Sequence, residues 1–333
     1  MTIQDDTEQW ERAADAAGAA ALLEIGDRLG LLPRFDQGQQ VRVEELAEAT
    51  GLPATGVAGY LEALCSAGLI EEVAEGSGAF QTVAGFSQIR YESGYLSWAL
   101  NANRPFVDHA VDFFHDARGA GDRHRRDGRQ VAVSSEWMGS FGFYPVALKT
   151  ILDARPARVV DLGAGTGRLV IEILLSLTDS TGVALDLDTE ACAEARLAGD
   201  RAGVGDRLTV VERPIQSVAT DPGPVEGTDV IHAGFVFHDM MPEEEEVADS
   251  VLANCREALA PGGMMAITEA VPYVRNARER RFSAIVTYYH QQFMRRRLLN
   301  EREWQEKLSS AGFSDVQCVS HRFPTGRLFV AIK

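Results

Sequence analysis

Apolar positions recur at helical spacing through the first part of the chain. Residues 8–31 are rich in alanine and leucine, with Trp10, Ala14, Leu22, Leu23, Ile25 and Leu29 spaced for one helix face. The stretch "VRVEELAEATGLPATGVAGYLEALCSAGLIEEV" reads as a helix, a turn at Gly51-Leu52-Pro53, a second helix and a strand near Leu69-Ile70. "AEGSG" then supplies a hairpin tip before a return strand, "AFQTV", so the whole segment has a winged helix-turn-helix pattern. Residues 93–150 are expected to be mostly helical, with a polar, basic interruption at "GAGDRHRRDGRQ".

The period changes at residue 157. "RVVDLGAG", "GVALDLD", "LTVVE", "DVIHAG", "MMAITEA", "DVQCVS" and "RLFVAIK" read as seven strands. Helical patterns follow the first, second and fourth of them: "GRLVIEILLSL", "TEACAEARLAGD" and "EEEVADSVLANCREALA". Such alternation predicts a parallel sheet covered by helices on both faces. Only a few residues, His321 to Gly326, join the last two strands, which forces an antiparallel hairpin at the sheet edge. The expected class is therefore α/β, a seven-stranded doubly wound sheet with its last strand antiparallel, behind a mainly helical N-terminal winged-helix domain. Expected boundaries are 1–100 for the winged-helix region, 101–156 for a helical linker contributing to a substrate pocket, and 157–333 for the sheet domain.

Composition narrows the possible partners. With 333 residues, 45% hydrophobic and 24% charged, the chain has room for a full core and the profile of a soluble protein. No apolar run approaches a membrane span, and the acidic start "MTIQDDTEQWERAAD" does not resemble a secretory signal. The formal charge of −17 opposes nucleic acid and anionic membrane surfaces as partners. The winged helix is no exception, because no lysine or arginine occurs between Arg42 and Arg90 while seven glutamates do. Packing or dimerisation is the expected role of that module. Cys65, Cys192, Cys255 and Cys318 lack metal or redox spacing and are expected to be reduced thiols in a cytoplasmic protein.

Candidate chemistry begins at "VVDLGAGTGRLV". Gly163, Gly165 and Gly167 remove side chains where the chain turns tightly and a ligand lies close. The spacing is G-x-G-x-G rather than the dinucleotide pattern G-x-G-x-x-G. Asp161, two residues before the first glycine, would repel a pyrophosphate and suits an ammonium or sulfonium ligand. A second acid, Asp186, ends the next strand and can accept from both hydroxyls of a ribose.

At these residues the chain resembles class I S-adenosylmethionine-dependent methyltransferases over about residues 157–333. The resemblance implies that Asp161 and the loop Gly163-Ala164-Gly165-Thr166-Gly167 hold the methionine end of the methyl donor, and that Asp186 and Leu187 lie at its ribose. Where this family often has an acid for the adenine amine, "VVERPIQS" offers Pro214 and Ile215, so adenine contact there would be apolar or through backbone. With the winged helix in front, the whole chain is similar to plant and bacterial small-molecule O-methyltransferases, which are usually dimers built through that region.

"GFVFHDMMPEEEE" follows the fourth strand, at the end of the sheet where open α/β sheets bind ligands. Three readings of His238 stay open from the residues alone: a strand end, a general base with a suitable imidazole pKa, or a metal ligand. In the O-methyltransferase resemblance the histidine deprotonates a hydroxyl and Glu269 assists it. His290, in "IVTYYHQQFMRRR" between the fifth and sixth strands, offers a second imidazole, and two histidines with a carboxylate match non-haem iron sites.

A narrower resemblance is to bacterial metal-dependent C-methyltransferases of 2-oxo acids, carried by His238-Asp239, His290, Trp98 in "LSWALN" and Arg126 in "HRRDG". It implies non-haem iron, with zinc possible, on His238 and His290, with Asp239 a ligand or an orienting neighbour. Arg126 would pair with the substrate carboxylate and Trp98 would wall the pocket. Phe237 and Tyr289 are further expected substrate neighbours, pointing to an aromatic or branched 2-oxo acid, while the arginines of "HRRDG" and "FMRRR" leave room for a polar one. The expected reaction is methylation of the β-carbon of that acid by a homodimeric enzyme.

Overall fold

The computed structural model describes residues 3–35, 39–272 and 276–333; the side chain of Trp10 lies outside the described set. The chain divides into two compact units. One comprises Met1–Asp108 and His124–Phe141, the other His109–Arg123 and Gly142–Lys333.

In the first unit, the long helix Ile3–Arg28 precedes the helix pair Val43–Thr50 and Ala54–Ser66. Gly51 ends the first of that pair in the left-handed conformation, φ 69°, where a side chain would be strained. Strands β1 (Val41–Arg42), β2 (Ile70–Glu72) and β3 (Ala79–Thr82) form an antiparallel sheet in the order β1-β3-β2, which is the expected wing. Leu23, Leu31, Leu61, Leu64 and Leu69 are fully buried between these elements. Tyr60 Oη donates to the Leu22 carbonyl, and a Cβ on Gly26 would lie 2.0 Å from Tyr60 Oη, so the helix contact requires glycine there.

The second unit holds the expected seven-stranded sheet. Its strands are β4 (Arg158–Leu162), β5 (Thr181–Asp186), β6 (Leu208–Glu212), β7 (Thr228–Gly234), β8 (Leu259–Ala270), β9 (Ser314–Ser320) and β10 (Gly326–Ile332). They lie in the order β6-β5-β4-β7-β8-β10-β9. Parallel pairing runs from β6 to β8, and β10 is antiparallel to both of its neighbours. Helices Arg168–Ser176, Thr189–Arg201 and Glu245–Ala258 follow β4, β5 and β7 as their apolar faces predict.

Three details differ from the sequence reading. The interruption expected over residues 119–130 is narrower: helix Ala117–Arg123 runs into it, and helix Gly128–Gly142 begins before its end. Strand β8 starts at Leu259, ahead of "MMAITEA", because Leu259 already pairs with Thr228. In sequence the four glutamates 243–246 look, with Pro242, like the acidic first turn of a helix, but only Glu245 and Glu246 occupy that turn. All four cysteines are free thiols, and no described helix is long and apolar enough to cross a membrane.

Candidate active site

Two polar groups sit on opposite faces of the sheet near the C-terminal ends of its central strands. The first begins at the glycine loop after β4. Gly163, Gly165 and Gly167 all have positive φ, at 72°, 54° and 73°. They differ in their surroundings. A Cβ on Gly163 would lie 2.3 Å from Val236 Cγ1 and one on Gly167 3.2 Å from the Ala195 Cβ, whereas one on Gly165 would meet nothing within 4 Å. Gly163 is thus required by packing, Gly167 is favoured by its left-handed backbone with little room beside Ala195, and Gly165 presents bare backbone outward. The amides of Gly163 and Ala164 donate to the Leu185 carbonyl, at 2.7 and 3.0 Å, which ties the loop to β5. Asp186, ending β5, accepts from Gly165 N at 2.7 Å and from Asp188 N at 2.9 Å. Leu187 beside it is exposed, and Ile215 is buried in a short turn, Ile215–Ala219, after β6. Outward backbone at Gly165, flanked by the carboxylates of Asp161 and Asp186, fits the charge pattern of S-adenosylmethionine.

Asp161 is itself 5% exposed. Its partner on β7 is His232, directly opposite in the parallel register. His232 Nδ1 lies 2.7 Å from Asp161 Oδ1, and His232 Nε2 lies 3.4 Å from Thr268 Oγ1 on β8. From sequence His232 is expected only to pack in the strand. The overlooked signal is a polar residue in an apolar strand, two positions before the terminal Gly234, just as Asp161 stands two before Gly163.

The other face carries His238. Strand β7 ends at Gly234, Phe235 takes φ 56°, and a single 3-10 turn, Phe237–Met240, follows. A positive φ at a bulky residue is strained, and the Phe235 amide is held by the Thr268 carbonyl at 2.8 Å. Glu269, 1% exposed on β8, accepts from the amides of Phe237 and His238 through Oε1, at 3.0 and 3.3 Å. Its Oε2 lies 2.7 Å from His238 Nδ1. His238 Nε2 lies 3.1 Å from Asp239 Oδ1, and that oxygen also takes an ion pair from Arg296 Nη1 at 2.8 Å.

His290 reaches the same place from the other side. It lies in a π-helical turn, Tyr289–Phe293, that ends the helix Ala277–Tyr288; π turns concentrate at functional sites. The His238 and His290 rings are 5.0 Å apart, centre to centre, and nearly perpendicular at 81°. His290 Nδ1 donates to the Val286 carbonyl at 2.7 Å, so the neutral ring carries its lone pair on Nε2. Burial lowers the His238 pKa, but Glu269 and Asp239 outweigh it and raise the group to about 10. Burial raises the Asp239 pKa, yet His238 and Arg296 bring it down to about 2. Burial and the neighbouring His238 push His290 down to about 3.

Phe237, expected at the substrate, is fully buried; its ring packs edge-on against Trp304 at 5.9 Å, because the 3-10 turn directs it into the core. Tyr289 is buried with its ring 6.0 Å from Phe293. Trp98 and Arg126 belong to the first unit, where buried Asn103 connects them. Its Nδ2 donates to the Trp98 carbonyl at 2.8 Å, and its Oδ1 accepts from Arg126 Nη1 at 3.4 Å. Trp98 also lies in a π-helical turn, Ser97–Ala102. Arg296 was not singled out from sequence, since one arginine in "FMRRR" looks like another.

Residues 160–265 match the family model described as a methyltransferase domain. The chain is 26% identical over 292 residues to 2-ketoarginine methyltransferase from Streptomyces arginensis, covering 85% of this chain and 81% of that protein. This protein is an S-adenosylmethionine-dependent methyltransferase. It is also 27% identical over 139 residues to 3-hydroxy-5-methyl-1-naphthoate 3-O-methyltransferase from Streptomyces sahachiroi, covering 40% of this chain and 38% of that one. Among solved structures, human N-acetylserotonin methyltransferase in complex with S-adenosylmethionine superposes with TM-score 0.62 at 17% identity, covering 98% of this chain and 97% of that chain. The methyltransferase thus has the class I fold with an O-methyltransferase-like N-terminal region, and S-adenosylmethionine is its methyl donor.

Proposed function

We propose that this methyltransferase acts in secondary metabolism and places a methyl group on the β-carbon of a 2-oxo acid, assisted by a metal ion. The observation that carries this reading is the donor set on the His238 face. His238 and His290 each commit Nδ1 to an outer acceptor, Glu269 and the Val286 carbonyl, which is how protein metal ligands are oriented for binding through Nε2. Asp239 Oδ1 stands 3.1 Å from His238 Nε2, close to the roughly 3.0–3.4 Å between adjacent ligands on one ion with bonds of about 2.1 Å. Two imidazoles and a carboxylate are a non-haem iron donor set, and zinc takes the same atoms. The residue types are those of the ion that the 2-oxo-acid resemblance implies, though as they stand the three donor atoms do not all lie within 4.8 Å of one another, and the relative named for 2-ketoarginine supports that substrate class.

An ion at His238, Asp239 and His290 would supply Lewis-acid polarisation of the substrate's keto group, which acidifies the neighbouring C–H. The chain's own residues do the rest. Glu269 holds the His238 ring and the backbone turn that carries it, and Arg296 sets the Asp239 carboxylate. Asp161 and Asp186 position the donor so that its methyl faces the carbon nucleophile. The β-carbon proton leaves to solvent water, the electron pair it leaves behind forms the new C–C bond, and the S–CH3 bond breaks with its pair staying on sulfur. The reading includes a cytoplasmic homodimer built through the N-terminal region.

A second reading, hydroxyl methylation with His238 as general base, is favoured by the His238–Glu269 pair alone. Against it, that reading leaves the second buried imidazole of His290, whose ring stands 5.0 Å from that of His238, without a part in the chemistry. One experiment separates the two. Protein purified without a histidine tag is analysed for metal, then assayed against 2-oxo acids and phenols with and without chelator, alongside His290→Ala. Near-stoichiometric metal, loss of activity in chelator and loss of both metal and activity in His290→Ala are expected. Full activity on phenols in chelator, with His290→Ala unimpaired, would sink the metal reading.

A further inference from the structure

The Asp161–His232 contact lies outside the chemistry of the His238 face. It is buried on both sides, Asp161 at 5% and His232 at 3% exposure, and spans β4 and β7 at a register position where the two side chains share one sheet face. A carboxylate only accepts hydrogen bonds, so at 2.7 Å His232 Nδ1 must carry the proton and donate it to Asp161 Oδ1. His232 Nε2, facing Thr268 Oγ1 at 3.4 Å, is fixed by a hydroxyl able to donate to it. The result is a three-strand line, Thr268 to His232 to Asp161, running toward the glycine loop. Alternation keeps it apart from the other face, where Glu269, one residue beyond Thr268, holds His238.

We infer that His232 is a positioning residue for the methyl donor: it locks the Asp161 carboxylate in one orientation, leaving Oδ2 for the ammonium group of the donor's methionine end. A buried aspartate without that anchor can rotate about two side-chain bonds or turn inward. With one oxygen pinned, the other is pre-organised for the ligand and loses little freedom on binding. Gly234 preserves the arrangement, since a Cβ there would lie 3.2 Å from the His232 ring carbon Cε1. This inference rests on the reading of Asp161 as the ammonium partner, so its test carries a control for that reading.

The test compares two ligands by calorimetry. S-adenosylhomocysteine carries the amino-acid end; methylthioadenosine has the same adenosine and sulfur without it. His232→Leu is expected to weaken S-adenosylhomocysteine about tenfold or more, the loss of a hydrogen bond to a charged group, while methylthioadenosine changes less than about twofold. His232→Asn, whose side-chain amide donates from near the Nδ1 position, is expected to recover most of the affinity. The ratio of the two affinities is taken in each variant, so partial unfolding, which lowers both equally, does not imitate the effect. A wild-type ratio in both His232→Leu and His232→Asn would overturn the inference while leaving Asp161 in its role. A wild-type ratio in Asp161→Asn would overturn the reading of Asp161, and the inference with it.

Discussion

His238 Nδ1 and Glu269 Oε2 are 2.7 Å apart, and the glutamate is 1% exposed. The same carboxylate accepts from the Phe237 and His238 amides, so one buried side chain fixes both the backbone turn and the imidazole ring. Few substitutes can do both. Glu269→Gln keeps the size but offers only one acceptor oxygen. On the proposed metal reading it is expected to lower activity and metal affinity about 10–100-fold, as loss of an orienting partner behind a ligand does. Titration of metal-stripped protein with zinc, read beside steady-state activity, checks this.

The glycines of the loop should separate folding from binding. Gly163→Ala drives a methyl group to within 2.3 Å of Val236 Cγ1 at positive φ, and is expected to lower the melting temperature markedly. Gly165→Ala has open space and pays only the left-handed strain, about 1–2 kcal/mol. Its effect should fall on S-adenosylhomocysteine affinity, because on the proposed reading of this loop the added methyl would stand where the donor approaches. Parallel thermal melts and calorimetry check the contrast; equal stability losses in the two variants would contradict it.

His321 provides a pH signature away from the site. Burial pushes its pKa down to about 4, aided by the nearby charge of Arg327. A histidine depressed in the folded state binds its proton only in the unfolded chain between about pH 6.5 and 4. Its contribution to stability is therefore present above pH 6.5 and lost as pH falls toward 4, by about 3 kcal/mol in all. Urea midpoints measured across that range should fall in the wild type and fall less in His321→Gln.

Arg327, 4% exposed at its side chain, joins Glu301 at 2.6 Å and Glu279 at 3.3 Å, and donates to the carbonyls of Pro324 and Gly326. It ties the helix that carries His290 to strand β10. Removing one member of a buried ion-pair network leaves the others uncompensated, so Arg327→Ala is expected to destabilise by about 3–5 kcal/mol. Chemical denaturation measures that, and a loss under 1 kcal/mol would contradict it.

Much of this protein was legible along the chain because its signals are local. From residue 157 short apolar runs separated by helical patterns replace the helical spacing alone, and that change marks the sheet. The short link His321 to Gly326 forces β9 and β10 to be antiparallel, and G-x-G-x-G after a buried strand marks the loop at Asp161. Of the pairings across long sequence separations, His238 with His290 was reached through a resemblance, whereas Asp161 with His232 was not legible. His238 and His290 stand 52 positions apart, and Asp161 and His232 stand 71 apart. Only strand order and register bring each pair together. Likewise, nothing in "TEA" distinguishes the Thr268 beside His232 from the Glu269 beneath His238, since a one-residue step moves a side chain to the opposite face of the sheet. The sequence by itself determined the sheet, the loop and the kinds of side chain available. The tertiary structure decided which carboxylate meets which imidazole, because hydrogen bonds between strands depend on register and face, which no local pattern encodes.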